Sequence, residues 1–314
     1  MTEKALKPIK PFLNYEEQIN NLIEQKGMIV NDHKFAVSKL EDISYFALID
    51  GYKNLFYNPM TRKYKEGTTF EDLVALYEFD EKLRTLIFRY LCHFEQKMRS
   101  LISYHFCDTY SEKQEDYLNA VHYNNSGANK KKIAALIAIL DREAKKSTDH
   151  AYVVYQRKTY GNVPMWVIMK TLTFGQMSKM YSFLTTSMKT KISRHFDYEK
   201  ELIQYMKVLT LYRNVCAHNE RLFSYKSRFD IPDTILHRKM KLPQNGNKYK
   251  CGKNDLFSVV IAFRMLLAKE DFAEFKKSLN QIINQYMKKT GNLNQDLFFK
   301  AMGFPENWKN ISRY

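Results

Sequence analysis

Glycine and proline are scarce, 10 and 7 in 314 residues. A chain with so few backbone-permissive or ring-locked positions is not built on tight turns, and long periodic runs between them point to a mostly helical protein. Cysteine is equally sparse. Cys92, Cys107, Cys216 and Cys251 form no CxxC pair and no tight Cys/His cluster, which excludes a zinc ribbon and a disulfide framework and leaves a reduced, cytoplasmic protein as the expectation. No run approaches 18 uninterrupted apolar residues, so a membrane span is not expected. GxxxxGK[ST], HExxH and paired-carboxylate motifs are missing, which removes the signatures of an NTPase, a metalloprotease or a glycosidase. Internal repeats and low-complexity tracts are missing too.

What is present is apolar material and positive charge. Hydrophobic residues make up 45% of the chain, enough for a sizeable core in one large domain or two modest ones. Fifty basic residues against 34 acidic leave a net charge of +16, which favours a polyanionic partner, nucleic acid ahead of an anionic membrane surface. The opening MTEKALKPIKPFLNYEEQ is charged and proline-punctuated, unlike the apolar core of a signal peptide.

Along the chain, Asn14 and Glu17 spell a capping box for a helix running to Lys26 and stopped by Gly27. A second helical region is expected over 32–56. Together these make an N-terminal helical region, residues 1–66, ahead of a main helical domain, 67–314. Thr69 with Asp72 opens the longest element, because Leu73, Leu76, Leu83, Ile87, Tyr90, Phe94, Met98, Leu101 and His105 follow at helical steps. Such a helix is about 50 Å or more in length, one stripe of a bundle. On it, Glu95 and Arg99 stand one turn apart and suit an ion pair that the helix alone leaves at the surface. Lys130–Lys146 reads as an alanine-rich helix. The stretch from Asn162 to Leu184 reads as two packed helices with Gly175 between them and Trp166 in the core. One long helix is expected from Asn254 to Lys289. Between these last two regions, residues 226–253 carry Lys226, Arg228, Arg238, Lys239, Lys241, Lys248, Lys250 and Lys253 against two aspartates. That segment is either a phosphate-tracking loop or a solvated linker.

The chemistry concentrates in Leu209–Tyr225, LTLYRNVCAHNERLFSY, where Arg213, Asn214, His218, Asn219 and Arg221 crowd onto about three helical turns. Asn214, His218 and Arg221 share a stripe, whereas Arg213 and His218 lie roughly 140° apart on an ideal helix. A helix end, or a second copy of the motif, relieves that separation. An arginine fixed in charge and a histidine titrating near neutrality suit phosphodiester chemistry: the imidazole moves a proton and the guanidinium holds phosphate oxygens. Neither metal nor cofactor is required. Two other readings stay open, an Arg/His/Asn network that only caps a helix junction and a binding protein that reads phosphates without cutting. Cys216, about 200° from His218, is not placed to act as a nucleophile with it.

Taken together, KPFLNYEEQINNLIEQKGM, SYFALIDGYKNLF, FEQKMRS, VPMWVIMKTLTFGQMSKMY and above all RNVCAHNERL resemble the Abi-like family of bacterial abortive-infection proteins, of the AbiD/AbiF kind, within the HEPN superfamily. The last stretch contains an R-x4-H motif. The resemblance implies an all-α, HEPN-like helical bundle with an N-terminal helical extension; the basic loop insertion at about 226–253 aligns to no family pattern, and its role rests on charge alone. The resemblance also implies a metal-independent endoribonuclease toxin of anti-phage defence, a homodimer restrained by a partner such as a noncoding RNA. Arg213 and His218 match the motif's catalytic positions and Asn214 its polar neighbour; Asn219, Arg221, Glu95 and Arg99 are expected to support them. A non-catalytic RNA-binding or phage-sensing helical protein is the alternative.

Overall fold

The computed structural model describes residues 10–197, 201–290 and 293–314. The lysine-rich start before Lys10 lies outside the described residues. Strands are confined, among the described residues, to two hairpins of two-residue strands, β1 (Tyr57–Asn58) with β2 (Lys63–Tyr64) and β3 (Gln244–Asn245) with β4 (Lys248–Tyr249). Everything else regular is helix, so the expected all-α class is found. By its contacts the chain divides into two units, one up to Lys82 with Asn280–Phe298, the other Leu83–Leu279 with Phe299–Tyr314.

The first unit opens as the cap residues dictate. The Asn14 carboxamide accepts from Glu17 N at 2.9 Å and Glu17 returns the bond to Asn14 N, starting α1 (Tyr15–Asn20). The helix loosens into a π-type turn and stops at Gly27, which takes the left-handed φ of +67°. Asp32 caps α2 (His33–Ile43), but the helix does not run on to Phe56: Ser44 adopts φ +70° and breaks it, leaving short π and 3-10 turns before the first hairpin. Tyr52 donates to the buried Asp80 carboxylate at 2.7 Å, and Phe79 packs on Tyr286 and Phe298 to close the core.

α3 (Phe70–Thr109) is 40 residues long, about 60 Å, with residues in both units. Thr69 and Asp72 exchange hydrogen bonds of 2.9 and 3.1 Å across its first turn, and neither glycine nor proline interrupts it. In the second unit come α4 (Gln114–Tyr117), α5 (Lys130–Lys145), α6 (Ala151–Tyr160), α7 (Met165–Ile168), α8 (Phe174–Phe183), α9 (Thr186–Ser193) and α10 (Leu202–Ala217). Gly175 does not separate helices. It lies in the first turn of α8, which Thr173 caps, and faces Thr210 of α10 at 3.5 Å.

Residues 226–253 are not a bare loop. They hold α11 (Ile235–Lys239) and the second hairpin, and are pinned by buried Ile231, Leu236, His237, Met240 and Leu242. His237 bonds the Thr234 backbone through Nδ1 and the Gly252 carbonyl through Nε2 at 2.9 Å. The expected single helix after Asn254 is two: α12 (Leu256–Leu266), capped by Asp255, and α13 (Lys269–Lys289). α12 buries every residue from Leu256 to Phe263 and Leu266, with Arg264 and Met265 part-buried at its end, whereas α13 buries only the stripe Phe272, Phe275, Leu279, Ile283 and Tyr286. A helix that must switch from full burial to one-sided burial changes direction, here at Leu267, where the backbone is extended. α14 (Gln295–Met302) and a 3-10 turn over Trp308–Arg313 end the chain. Among the described residues no helix is long and apolar enough to cross a membrane.

Candidate active site

α10 is anchored by its apolar residues Tyr205, Met206, Val208, Leu209, Tyr212 and Val215, all buried. Tyr212 fixes its far end, donating to the carbonyls of Tyr225 at 3.0 Å and Asn254 at 2.9 Å. The helix stops inside the polar motif. His218 is the C-cap, and Asn219 takes φ +55° in the left-handed region. Asn219 N then bonds Cys216 O at 3.3 Å and Glu220 N reaches back to Val215 O at 3.0 Å, the paired bonds of a Schellman ending with asparagine where glycine is commonest. The consequence is positional. His218 sits exposed on the last turn, at a helix end, and its ring has no hydrogen-bond partner among the described residues.

Five residues earlier, Arg213 points toward α3. Its Nε lies 4.0 Å from Glu95 Oε2, and its guanidinium carbon stands 5.8 Å from the centre of the Phe88 ring. The arginine side chain is 29% exposed and the glutamate 11%. Glu95 is therefore not part of a surface pair; it is buried, and its other oxygen takes Nη2 of Arg99. Arg99 is tied into the fold: beyond Glu95, it donates to the carbonyls of Met169 and, at 2.5 Å, Leu172, joining α3 to the segment after α7. Arg213 is the opposite case. Nε is buried and bonded to nothing among the described residues. Two arginines flank one carboxylate, one tied into the fold by three hydrogen bonds, the other oriented by an ion pair and a ring.

The α3 face behind this arrangement is a stripe: Arg84, Phe88, Cys92, Glu95 and Arg99 follow at steps of four, four, three and four. Arg84 donates to the Glu220 carbonyl at 3.4 Å, holding the exit from the motif, and Phe88 lies under Arg213. Sequence reasoning missed both, although their spacing from Glu95 is helical and visible in the sequence. Burial, with Glu95 next, pushes the Cys92 thiol up against the opposing pull of Arg213 and Arg99, so it stays protonated beside the carboxylate and is no nucleophile.

Other expected residues scatter. Asn214 is exposed one turn before His218 and accepts its backbone N–H at 2.9 Å. Arg221 is half-buried and engaged by neighbours. Lys226, Arg228, Arg238, Lys239, Lys241, Lys248 and Lys250 are exposed, while Lys253 turns inward to Ile231 O and Asp233. Trp166, expected in the core, is 54% exposed. α7 has only one turn, and Met165 and Ile168 take its buried side, leaving the indole outside.

Residues 38–224 match the family model described as Abi-like protein, a span that ends just past the motif. No curated protein and no solved structure matches the chain.

Proposed function

The chain belongs to the Abi-like protein family, and from that premise we propose that it is a metal-independent endoribonuclease acting through Arg213 and His218 in anti-phage abortive infection. The observation that carries the reading is the placement of one guanidinium. Arg213 is steadied by Glu95 and Phe88, keeps its side chain 29% exposed, and stands a turn and a half before an exposed histidine.

In the reaction, a ribose 2′-hydroxyl attacks its own phosphate. His218 moves the proton at the attacking or the leaving oxygen, and Arg213 offsets the charge that grows on the non-bridging oxygens. Asn214, on the same stripe as His218, orients the substrate near it. A homodimer lets the arginine of one chain and the histidine of the other address one phosphate, and a cognate partner such as a noncoding RNA restrains the toxin until infection.

The test is incubation of labelled RNA with the wild type and His218→Ala in EDTA. Cleavage by the wild type that the substitution lowers about 10² to 10⁴-fold is expected. A requirement for divalent metal, or equal cleavage by the variant, sinks the mechanism. The exposed lysines and arginines of residues 226–250 favour a second reading, an RNA-gripping protein that does not cut; it predicts salt-sensitive binding with intact RNA recovered.

A further inference from the structure

Beside the candidate site lies a cavity of about 480 Å³ lined by Gln96, Arg99, Ser100, Tyr104, Trp166 and Lys170, among others. Its size falls in the range of small-ligand pockets, about 300 to 1,000 Å³. Trp166 is 54% and Tyr104 66% exposed. Single exposed aromatics are ordinary, but two rings around one concavity, with a lysine at its edge, are a different pattern. The floor is rigid, because Arg99 is locked to Glu95 and to two carbonyls. Gln96 and Ser100, one turn apart on α3, offer an amide and a hydroxyl able both to donate and to accept. At the rim, Lys170 Nζ stands 5.6 Å from the ring centre of Tyr152, itself 40% exposed. Ring, cation and ring thus follow one another along the surface from Trp166 through Lys170 to Tyr152.

Single-stranded RNA is bound through that alternation: unstacked bases lie on aromatic faces, which tolerate any sequence, and phosphates lie on cations between them. We propose that the cavity is a nucleobase subsite, in which one base of a single-stranded RNA stacks on Trp166 with its edge toward Gln96 and Ser100, and the adjoining phosphate rests on Lys170. The proposal deepens the ribonuclease reading and rests on it for the choice of RNA. It also connects the two places physically. The guanidinium that floors the cavity holds the carboxylate that faces Arg213, so a base seated here lies one ion pair away from the phosphate-facing arginine.

The chain has two tryptophans, and Trp308 is buried at 3% exposure, so quenching by a bound base reports on Trp166. Full-length His218→Ala protein is titrated with a single-stranded RNA oligonucleotide and with an abasic ribose-phosphate oligomer of equal length. The natural oligomer is expected to quench saturably and the abasic one not. By polarisation, adding Trp166→Ala weakens the natural RNA about 5- to 100-fold, whereas Trp166→Phe, which keeps a stacking face, restores most of the affinity. Unchanged fluorescence, or equal affinity after Trp166→Ala, overturns the subsite. Trp166 is more than half exposed, and circular dichroism checks that these variants fold. The two readings fail separately. Cleavage without any response from Trp166 removes the subsite and leaves the ribonuclease; base-dependent quenching by a wild type that cuts nothing removes the ribonuclease and leaves the subsite.

Discussion

Glu95 Oε2 lies 4.0 Å from Arg213 Nε, while the other oxygen of the same carboxylate is taken by Arg99. The two arginines therefore differ in what their removal exposes. Arg99→Ala leaves Glu95 buried without its closest partner and frees the carbonyls of Met169 and Leu172, a loss of about 3 kcal/mol by the cost of breaking a buried pair. Arg213→Ala leaves the Glu95–Arg99 pair intact and forfeits the packing on Phe88 and the longer ion pair with Glu95, about 1 to 2 kcal/mol. Urea denaturation of both variants checks the contrast, and RNA cleavage is expected to be abolished in Arg213→Ala although that protein is the more stable. Equal destabilisation would mean that Arg213 is a structural arginine after all.

If Arg213 and His218 serve one phosphate, they act as a unit. Alanine at either then costs nearly as much rate as alanine at both, because the second removal acts on a site already lost. Single-turnover rates for the two single variants and the double variant decide this. Multiplying effects would assign the residues to separate tasks.

Asn219 contributes a backbone conformation. At φ +55° an L residue with an ordinary side chain is strained, glycine is not, and both replacements lack the carboxamide. Asn219→Gly is expected to be more stable than Asn219→Ala by about 1 kcal/mol, and to hold His218 in place well enough to keep activity. A thermal-melt series with cleavage assays tests it; an alanine variant as stable as the glycine one would show that the helix ends by some other means.

His105 and His195 face each other with Nε2 atoms 3.0 Å apart. Burial first, then His195 and Lys191, lower the His105 pKa, with Asp108 pulling the other way. The folded state therefore binds fewer protons than the unfolded chain once the pH drops below the ordinary histidine value of about 6.5, and stability is lost as the pH falls through that value. His237, buried and likewise lowered, acts in the same direction. Denaturation midpoints between pH 7.5 and 5 should decline, and His105→Gln should make the acid limb shallower. A limb of unaltered slope in that variant would remove His105 from the account.

Much of this protein is legible without coordinates. Asn14 with Glu17 and Thr69 with Asp72 set helix starts through bonds between residues three apart, and the absence of glycine and proline from Phe70–Thr109 lets α3 run unbroken. The residue types of the motif are legible too, with Arg213 and His218 five apart in the sequence. Local sequence determines these because the deciding interactions span one helical turn. Only the tertiary structure decided that Glu95 is buried opposite Arg213, that Arg99 is tied to two carbonyls and Arg213 is not, that Trp166 lies outside, and that α12 and α13 part at Leu267. Each of those depends on which surfaces meet across tens or hundreds of residues, and a helical stripe records that a face is covered without recording by what.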